Sequence, residues 1–108
     1  MSTSSIGTSG KNGYIKFNNG LIIQWGLSAA TYANSKVLIG NANFIQTYTS
    51  TPTITASVND SANTLSSLSR NVKVYNINTN NFTAAIHSIQ GDFASGTTIY
   101  FTWISIGI

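Results

Sequence analysis

The run NGYIKFNNGLIIQWG, residues 12–26, decides the fold of this chain. It holds two short apolar segments, Gly13 to Phe17 and Leu21 to Gly26, joined by Asn18-Asn19-Gly20. An Asn-Gly pair between apolar segments readily adopts the two positive φ angles of a type I′ turn. We therefore predict a β-hairpin over residues 13–26, closed by a type I′ turn.

Apolar and polar residues alternate through most of the remaining chain, which is the period of a β-strand. Strands are predicted over Val37 to Ile39, Thr53 to Val58, Asn71 to Ile77, Phe82 to Ile89 and Thr98 to Ile108, with a packed corner at Phe44-Ile45 and a turn over Asn78 to Asn81. Residues 1–10, 29–35 and 59–69 are polar and are predicted to lie outside strands. Helical periodicity is absent, so the pattern predicts an all-β, antiparallel two-sheet β-sandwich.

A length of 108 residues supports one domain, because two cores would each bury too little apolar surface. Residues 1–11 are interpreted as a flexible linker or a remnant added in cloning, and residues 12–108 as the domain. The chain contains no cysteine, which excludes a disulfide framework and a thiolate metal site.

Charged residues make up 6% of the chain, far below the roughly 25% that is typical of soluble proteins. The five basic residues are scattered rather than clustered, which argues against a nucleic-acid partner. No apolar run approaches the roughly 20 residues that cross a bilayer, so no membrane association is expected. Asn, Ser and Thr instead cover the surface, and their neutral hydrogen-bonding groups suit a carbohydrate partner.

Catalytic equipment is scarce, with two carboxylates (Asp60 and Asp92) and one histidine (His87). A glycosidase pair needs carboxyl groups roughly 5 to 9.5 Å apart, but both aspartates lie in ordinary turn settings. No nucleophile-elbow motif accompanies His87, and a lone histidine lacks metal-ligand partners unless a threefold axis gathers three copies. We expect no enzyme activity, no metal and no cofactor.

The aromatic residues and the last strand predict how the chain packs. Six aromatics at strand positions are expected to face the core, namely Tyr14, Trp25, Tyr75, Phe82, Phe101 and Trp103. Tyr32, Tyr48 and Phe93 lie in less regular segments and are candidates for exposure. Residues 98–108 carry apolar side chains on both faces, so one face should meet the core and the other a second subunit.

Residues 12–26 resemble the "GYIKLPNGLIIQWG" signature that begins the C-terminal domain of many phage and prophage tail fibre proteins. The rest of the chain, through the closing Trp103-Ile104-Ser105-Ile106-Gly107, is similar to the same domain, whose last strand typically reads W-I-A-I-G. From Val37 onward the chain is also similar to the H-type lectins. The resemblance implies a homotrimeric, H-type-lectin-like β-sandwich at the distal end of a tail fibre in the virion. Its implied partner is a host surface glycan (lipopolysaccharide, capsule or wall polysaccharide).

The lectin resemblance also implies where a sugar would bind. H-type lectins use an aromatic-His pair ending one strand, the loop entering the last strand, and an arginine before the middle strand. By position these fall on Ile89-Gln90, on residues 91–97 and on Arg70. Because Ile89-Gln90 is not an aromatic-His pair, the sugar preference of the lectins does not carry over.

The candidate receptor-binding residues are Arg70, His87, Gln90, Asp92 and Phe93. The alternative is a domain that only trimerises and caps the fibre, with no receptor contact. A third hypothesis, a depolymerising enzyme, is disfavoured by the shortage of carboxylates.

Overall fold

A computed structural model describes residues 3–59, 70–88 and 91–108, with the side chains of Ser4, Ser9, Asn59 and Arg70 left out of the description. These ranges hold eight strands and no helix, hence none that could cross a membrane. The strands are β1 (Thr3–Ser9), β2 (Asn12–Phe17), β3 (Ile22–Asn34), β4 (Val37–Asn43), β5 (Thr53–Asn59), β6 (Arg70–Tyr75), β7 (Asn81–Ser88) and β8 (Thr98–Gly107).

The 13-residue strand β3 organises the sheet. One edge of β3 pairs with β8 from Ile22 to Thr31, while the other edge pairs first with β2 and then with β4. Strand β1 extends the sheet beyond β2, β5 lies beyond β8, and β7 and β6 follow β4, with every pairing antiparallel. The all-β antiparallel class is therefore confirmed. The eight strands form one continuous hydrogen-bonded network, so the expected division into two separate sheets is not confirmed.

The sheet folds over a single apolar core. The Phe82 ring on β7 lies 5.4 Å from the Trp103 ring and 6.3 Å from the Phe101 ring on β8, although β7 and β8 are not neighbours in the sheet. Burying one such side chain contributes about 1.5–3 kcal/mol. The buried cluster comprises Ala30, Leu38, Ala42, Phe82, Ala84, Ile86, Phe93, Ile99, Phe101 and Trp103. Packing between distant strands, rather than any disulfide, therefore holds the domain together.

The hairpin of β2 and β3 is confirmed, but its turn is not type I′. The Phe17 N–H donates to the Leu21 carbonyl (2.8 Å), and the Gly20 N–H donates to the Phe17 carbonyl (3.0 Å). Gly20 has a φ of 94°, whereas Asn19 stays outside the positive-φ region. This is a three-residue loop made of a type I turn followed by a left-handed glycine. The type I′ prediction was wrong because it assumed a two-residue loop.

Three glycines of the first strands each lie beneath an aromatic ring of the neighbouring strand. The cross-strand pairs are Gly7 with Tyr14, Gly13 with Trp25, and Gly26 with Trp103. A Cβ atom at any of the three glycines would come closer than 3.0 Å to the partner's ring. Glycine has no side chain to shield the strand backbone, and the ring covers the backbone there. Residues 13–26 therefore place glycines where rings of β3 and β8 cross the sheet.

A buried polar cluster joins β3 and β8 to the corner after β4. Gln24 is fully buried, donating to the Gln46 carbonyl (2.8 Å) and accepting from the N–H groups of Ile45 (2.9 Å) and Gln46 (3.0 Å). The Tyr48 hydroxyl lies 2.7 Å from the Ser105 hydroxyl, and burial raises the pKa of Tyr48. Tyr48 is 2% exposed, so its expected exposure was wrong.

Several expectations about secondary structure are confirmed. Strands β4, β5, β6, β7 and β8 match the predicted segments, and Ile54, Ala56 and Val58 of β5 pack towards the core. The turn before β7 is closed by a hydrogen bond from the Asn78 N–H to the Asn81 carbonyl (3.0 Å). The predicted positions of Ile89 and of loop residues 60–69 lie outside the described residues.

Two segments predicted to lack regular structure are strands. Residues 3–9 form β1 rather than a linker, and residues 29–34 continue β3. Side-chain polarity misled both predictions, since pairing with β2, β4 and β8 satisfies their backbone groups whatever the side chains are. Trp25 and Tyr75 were expected in the core but lie on outward faces, because they pair with Ile104 and Thr83 there.

Candidate functional site

The first residue of β6 and the end of β7 meet beside the turn between β3 and β4. Arg70 pairs with Ser88, and His87 pairs with Val37 on one side and Asn71 on the other. The Ser88 N–H donates to the Lys36 carbonyl (3.0 Å), which ties the end of β7 to the turn. Arg70 and His87 therefore lie at the same end of the molecule.

The loop after β7 is anchored at this same end. The Phe93 N–H donates to the Ser35 carbonyl (2.7 Å), and the Ser88 hydroxyl donates to the Gly91 carbonyl (2.7 Å). The Phe93 ring is 5% exposed and belongs to the core cluster. Its expected exposure was wrong, because an aromatic ring in a short loop gains more from burial than from solvent. Phe93 therefore anchors the loop rather than offering a free aromatic face.

Asp92 follows Gly91 at the exposed surface of the loop and pairs with a lysine that the sequence analysis did not single out. Its carboxylate lies 2.5 Å from the Lys36 ammonium group, which also donates to the Gly91 carbonyl (3.1 Å). Both side chains are more than half exposed, so the ion pair contributes at most about 1 kcal/mol. In the sequence, the feature that could have pointed to Lys36 as a site residue was a basic side chain in the turn between two strands. Only the fold brings that turn to the loop, which lies far along the chain.

His87 is half-buried on the outward face of β7, which it shares with Thr83 and Ala85. Its cross-strand neighbours, Val37 and Asn71, are neither acidic nor metal ligands of the usual kinds. Within the described residues no group of three His, Cys, Asp or Glu side chains could hold a metal ion. Asp60 and Gln90 lie outside the described residues. The carboxyl–carboxyl distance of the suggested pair, Asp60 and Asp92, is therefore outside the description too.

A second feature lies on the outward face of β3, β8 and β5. A groove of about 430 Å³ is lined there by Lys11, Trp25, Gly26, Leu27, Thr55, Ser57, Thr102, Trp103 and Ile104. Ile104 is 58% exposed on this face. Trp103 is buried, and its indole N–H has no acceptor in the described part of the chain. The groove is largely apolar, and its lining side chains include three hydroxyl groups and one ammonium group.

No family model and no curated protein matches the chain. Solved structures do match. The N-truncated R1-type pyocin tail fibre superposes with a TM-score of 0.70 at 16% identity over 96% of this chain and 84% of that one. The tailspike of Pseudomonas phage phi297 gives 0.65 at 20% identity, covering 80% of this chain and 15% of the tailspike.

A third match is the tailspike of Acinetobacter baumannii bacteriophage AP22, solved in complex with A. baumannii capsular saccharide. It gives a TM-score of 0.62 at 15% identity over 78% of this chain and 16% of the tailspike. The chain thus spans most of the truncated pyocin fibre but only a small part of each tailspike chain. At these identities the likeness concerns the fold alone, and that fold is one found in pyocin tail fibres and phage tailspikes.

Proposed function

We propose that this chain is the receptor-binding tip domain of a phage tail fibre, adhering as a homotrimer to host cell-surface carbohydrate. The supporting observation is the convergence, at one end of the molecule, of the first residue of β6, the end of β7, the β3–β4 turn and the anchored loop. The fold shared with pyocin fibres and tailspikes supports a place in a virion tail, at its distal end in our proposal.

The chemistry of this end suits a saccharide. Asp92 presents a carboxylate on a loop that Phe93 holds in place, and Lys36 presents an ammonium group from the β3–β4 turn. A saccharide hydroxyl both donates and accepts hydrogen bonds, so it can bridge such a pair. His87 extends the site on the side of β6, and we include Arg70 and Gln90 in the proposed site from the sequence alone. We propose that the domain binds its ligand without cleaving it, because Asp92 has no second carboxylate beside it among the described residues, whereas glycoside hydrolysis ordinarily uses two.

A binding assay on host cells or a glycan array tests the site. Asp92→Ala and His87→Ala should each lower affinity about tenfold, which corresponds to about 1.4 kcal/mol. Thr51→Ala is the matched control, since Thr51 is exposed and precedes β5 near the far end of β8. Parental binding by both site variants would contradict the receptor-binding proposal.

The alternative is that the domain only trimerises and caps the fibre. Exposed apolar side chains on the outward face of β8 favour a structural contact, namely Tyr100, Ile104 and Ile106. Deleting the loop would confuse the two functions, because it would remove Phe93 from the core. Substituting Asp92 alone separates them, since in a fibre that adheres through another segment Asp92→Ala would change neither the adhesion of the fibre nor the mass of the domain.

A further inference from the structure

The outward face of β8 continues across the neighbouring strands as a row of isoleucines. Ile106 of β8 pairs with Ile23 of β3, Ile23 pairs with Ile15 of β2, and Ile15 pairs with Ile6 of β1. Directly paired residues of an antiparallel ladder share a face, so the four side chains lie side by side. Ile6 is 63% exposed and Ile106 is 43% exposed. A contiguous apolar row four strands wide is a candidate contact surface.

The two borders of this face have different shapes. At one border lies β1, which pairs only with β2 among the described strands, so its other edge is unpaired there. Towards the other border lies the groove between β3, β8 and β5, with Trp25 and Ile104 in its lining. Ile6 is a projecting apolar side chain, and the groove is an apolar hollow. Within one chain, Ile6 on β1 and the Thr55 wall of the groove on β5 are four strand spacings apart, about 19 Å, so Ile6 cannot reach that wall of its own groove.

We propose that the β1 border of one copy, led by Ile6, packs into the groove of the next copy, and that three such contacts close a ring. This inference rests on the proposed homotrimer and adds its geometry. A contact between two different surfaces is head-to-tail, and it closes into a ring when the rotation between copies allows. The same contact covers the unpaired edge of β1, which would otherwise be open to uncontrolled strand pairing.

The size and charge of the face fit a second copy of the chain. With strands about 4.8 Å apart and about 3.3 Å per residue, the outward face of β1, β2, β3, β8 and β5 covers roughly 650 Å² in projection. Stable interfaces bury about 800 Å² per partner, which is of the same order. Among the described residues, Lys11 is the one charged residue that lines the groove, and no carboxylate of that part of the chain lines it. Ile6 and its neighbours in β1 carry no charge, so neither surface would repel the other.

Disulfide trapping tests the geometry, because the chain has no cysteine of its own. A double variant with Ile6→Cys and Thr55→Cys should, on mild oxidation, run on non-reducing gels as a covalent trimer of about three times 11.5 kDa. Each single variant should stay monomeric on the gel, since a head-to-tail contact brings different residues together. A single variant that forms dimers would show a twofold contact and overturn the inference.

The control pair is Ile6→Cys with Thr83→Cys, because Thr83 lies on the outward face of β7, away from the groove. This pair should form no cross-linked trimer. The native mass of the unmodified protein separates the two hypotheses. A native trimer in which Ile6→Cys and Thr55→Cys do not cross-link overturns the head-to-tail contact alone. A native mass near 11.5 kDa overturns the homotrimer together with it.

Ile104→Asp gives an independent measurement at the groove. Because Ile104 is exposed, the variant should keep its β-sheet circular dichroism while its mass falls from three copies to one. A variant that stays trimeric and instead loses saccharide binding would make the groove a ligand site. That outcome would overturn the inference while leaving the tail fibre proposal in place.

Discussion

The two ends of this domain are stabilised by different kinds of interaction. At the far end of β8, the corner after β4 is fastened by buried polar groups, with Gln24 bonded to three backbone groups and Tyr48 beside Ser105. At the candidate site, one buried ring anchors the loop, and the polar contact of Lys36 with Asp92 lies at the surface. Buried hydrogen bonds specify a single geometry, whereas an apolar anchor leaves the surface around it free to vary. The second arrangement suits a recognition loop.

The largest effect should come from removing the loop anchor. Phe93→Ala should lower the free energy of unfolding by about 3 kcal/mol or more, because it leaves a cavity in the core. Urea denaturation at matched protein concentration measures the change. Phe93→Leu is the control, and it should recover much of the loss. A loss below about 0.5 kcal/mol for Phe93→Ala, typical of surface sites, would show that Phe93 does not anchor the loop.

Breaking the polar fastening at the other end should cost slightly less. Gln24→Leu leaves two part-buried N–H groups and one carbonyl without their partner, at about 1–3 kcal/mol for each of these groups that water cannot reach. We expect a total loss of about 2–4 kcal/mol, with host binding at the opposite end unchanged. Gln24→Glu keeps the acceptor and, once protonated at acidic pH, a donor as well, so it should lose less than Gln24→Leu at acidic pH. Equal losses for both variants would contradict the role assigned to the hydrogen bonds.

Tyr48 should make the free energy of unfolding depend on pH. Burial raises its pKa in the folded state, so the folded protein keeps the phenol proton at a pH where the unfolded chain has lost it. The stabilisation is complete below pH 10, the ordinary pKa, and is lost as the pH rises through the folded value. Tyr48→Phe should cost about 1 kcal/mol at pH 7 and flatten the decline above pH 10. An unchanged decline in Tyr48→Phe would assign it to other groups.

The smallest effect belongs to the surface ion pair. Lys36→Ala and Asp92→Ala should each change stability by less than about 1 kcal/mol, and their coupling in a double-mutant cycle should fall as salt is added. Their effect on host binding should be the larger one. A coupling above about 2 kcal/mol in the stability cycle would mean that the pair fastens the loop as Gln24 fastens the corner.

The hairpin shows how far local sequence carries a prediction. Its strands follow from alternation and from Asn19-Gly20, which are neighbours in the chain. The turn type differed because a three-residue loop uses the same residues with one positive φ angle rather than two. Glycines 13 and 26 mark where a ring crosses the strand, but their partners, Trp25 and Trp103, are set by strand register.

By itself, the sequence determined the all-β class, the hairpin, most strand positions, the scarcity of catalytic groups and the two apolar faces of the last strand, because these depend on residue types at short spacing. Only the tertiary structure decided that residues 3–9 form a strand, that Tyr48 and Phe93 are buried, and that Lys36 meets Asp92. Those outcomes depend on pairing between segments far apart in the chain. A local sequence pattern does not specify which distant strand will pair with a segment, nor which distant side chains will pack against it in the core.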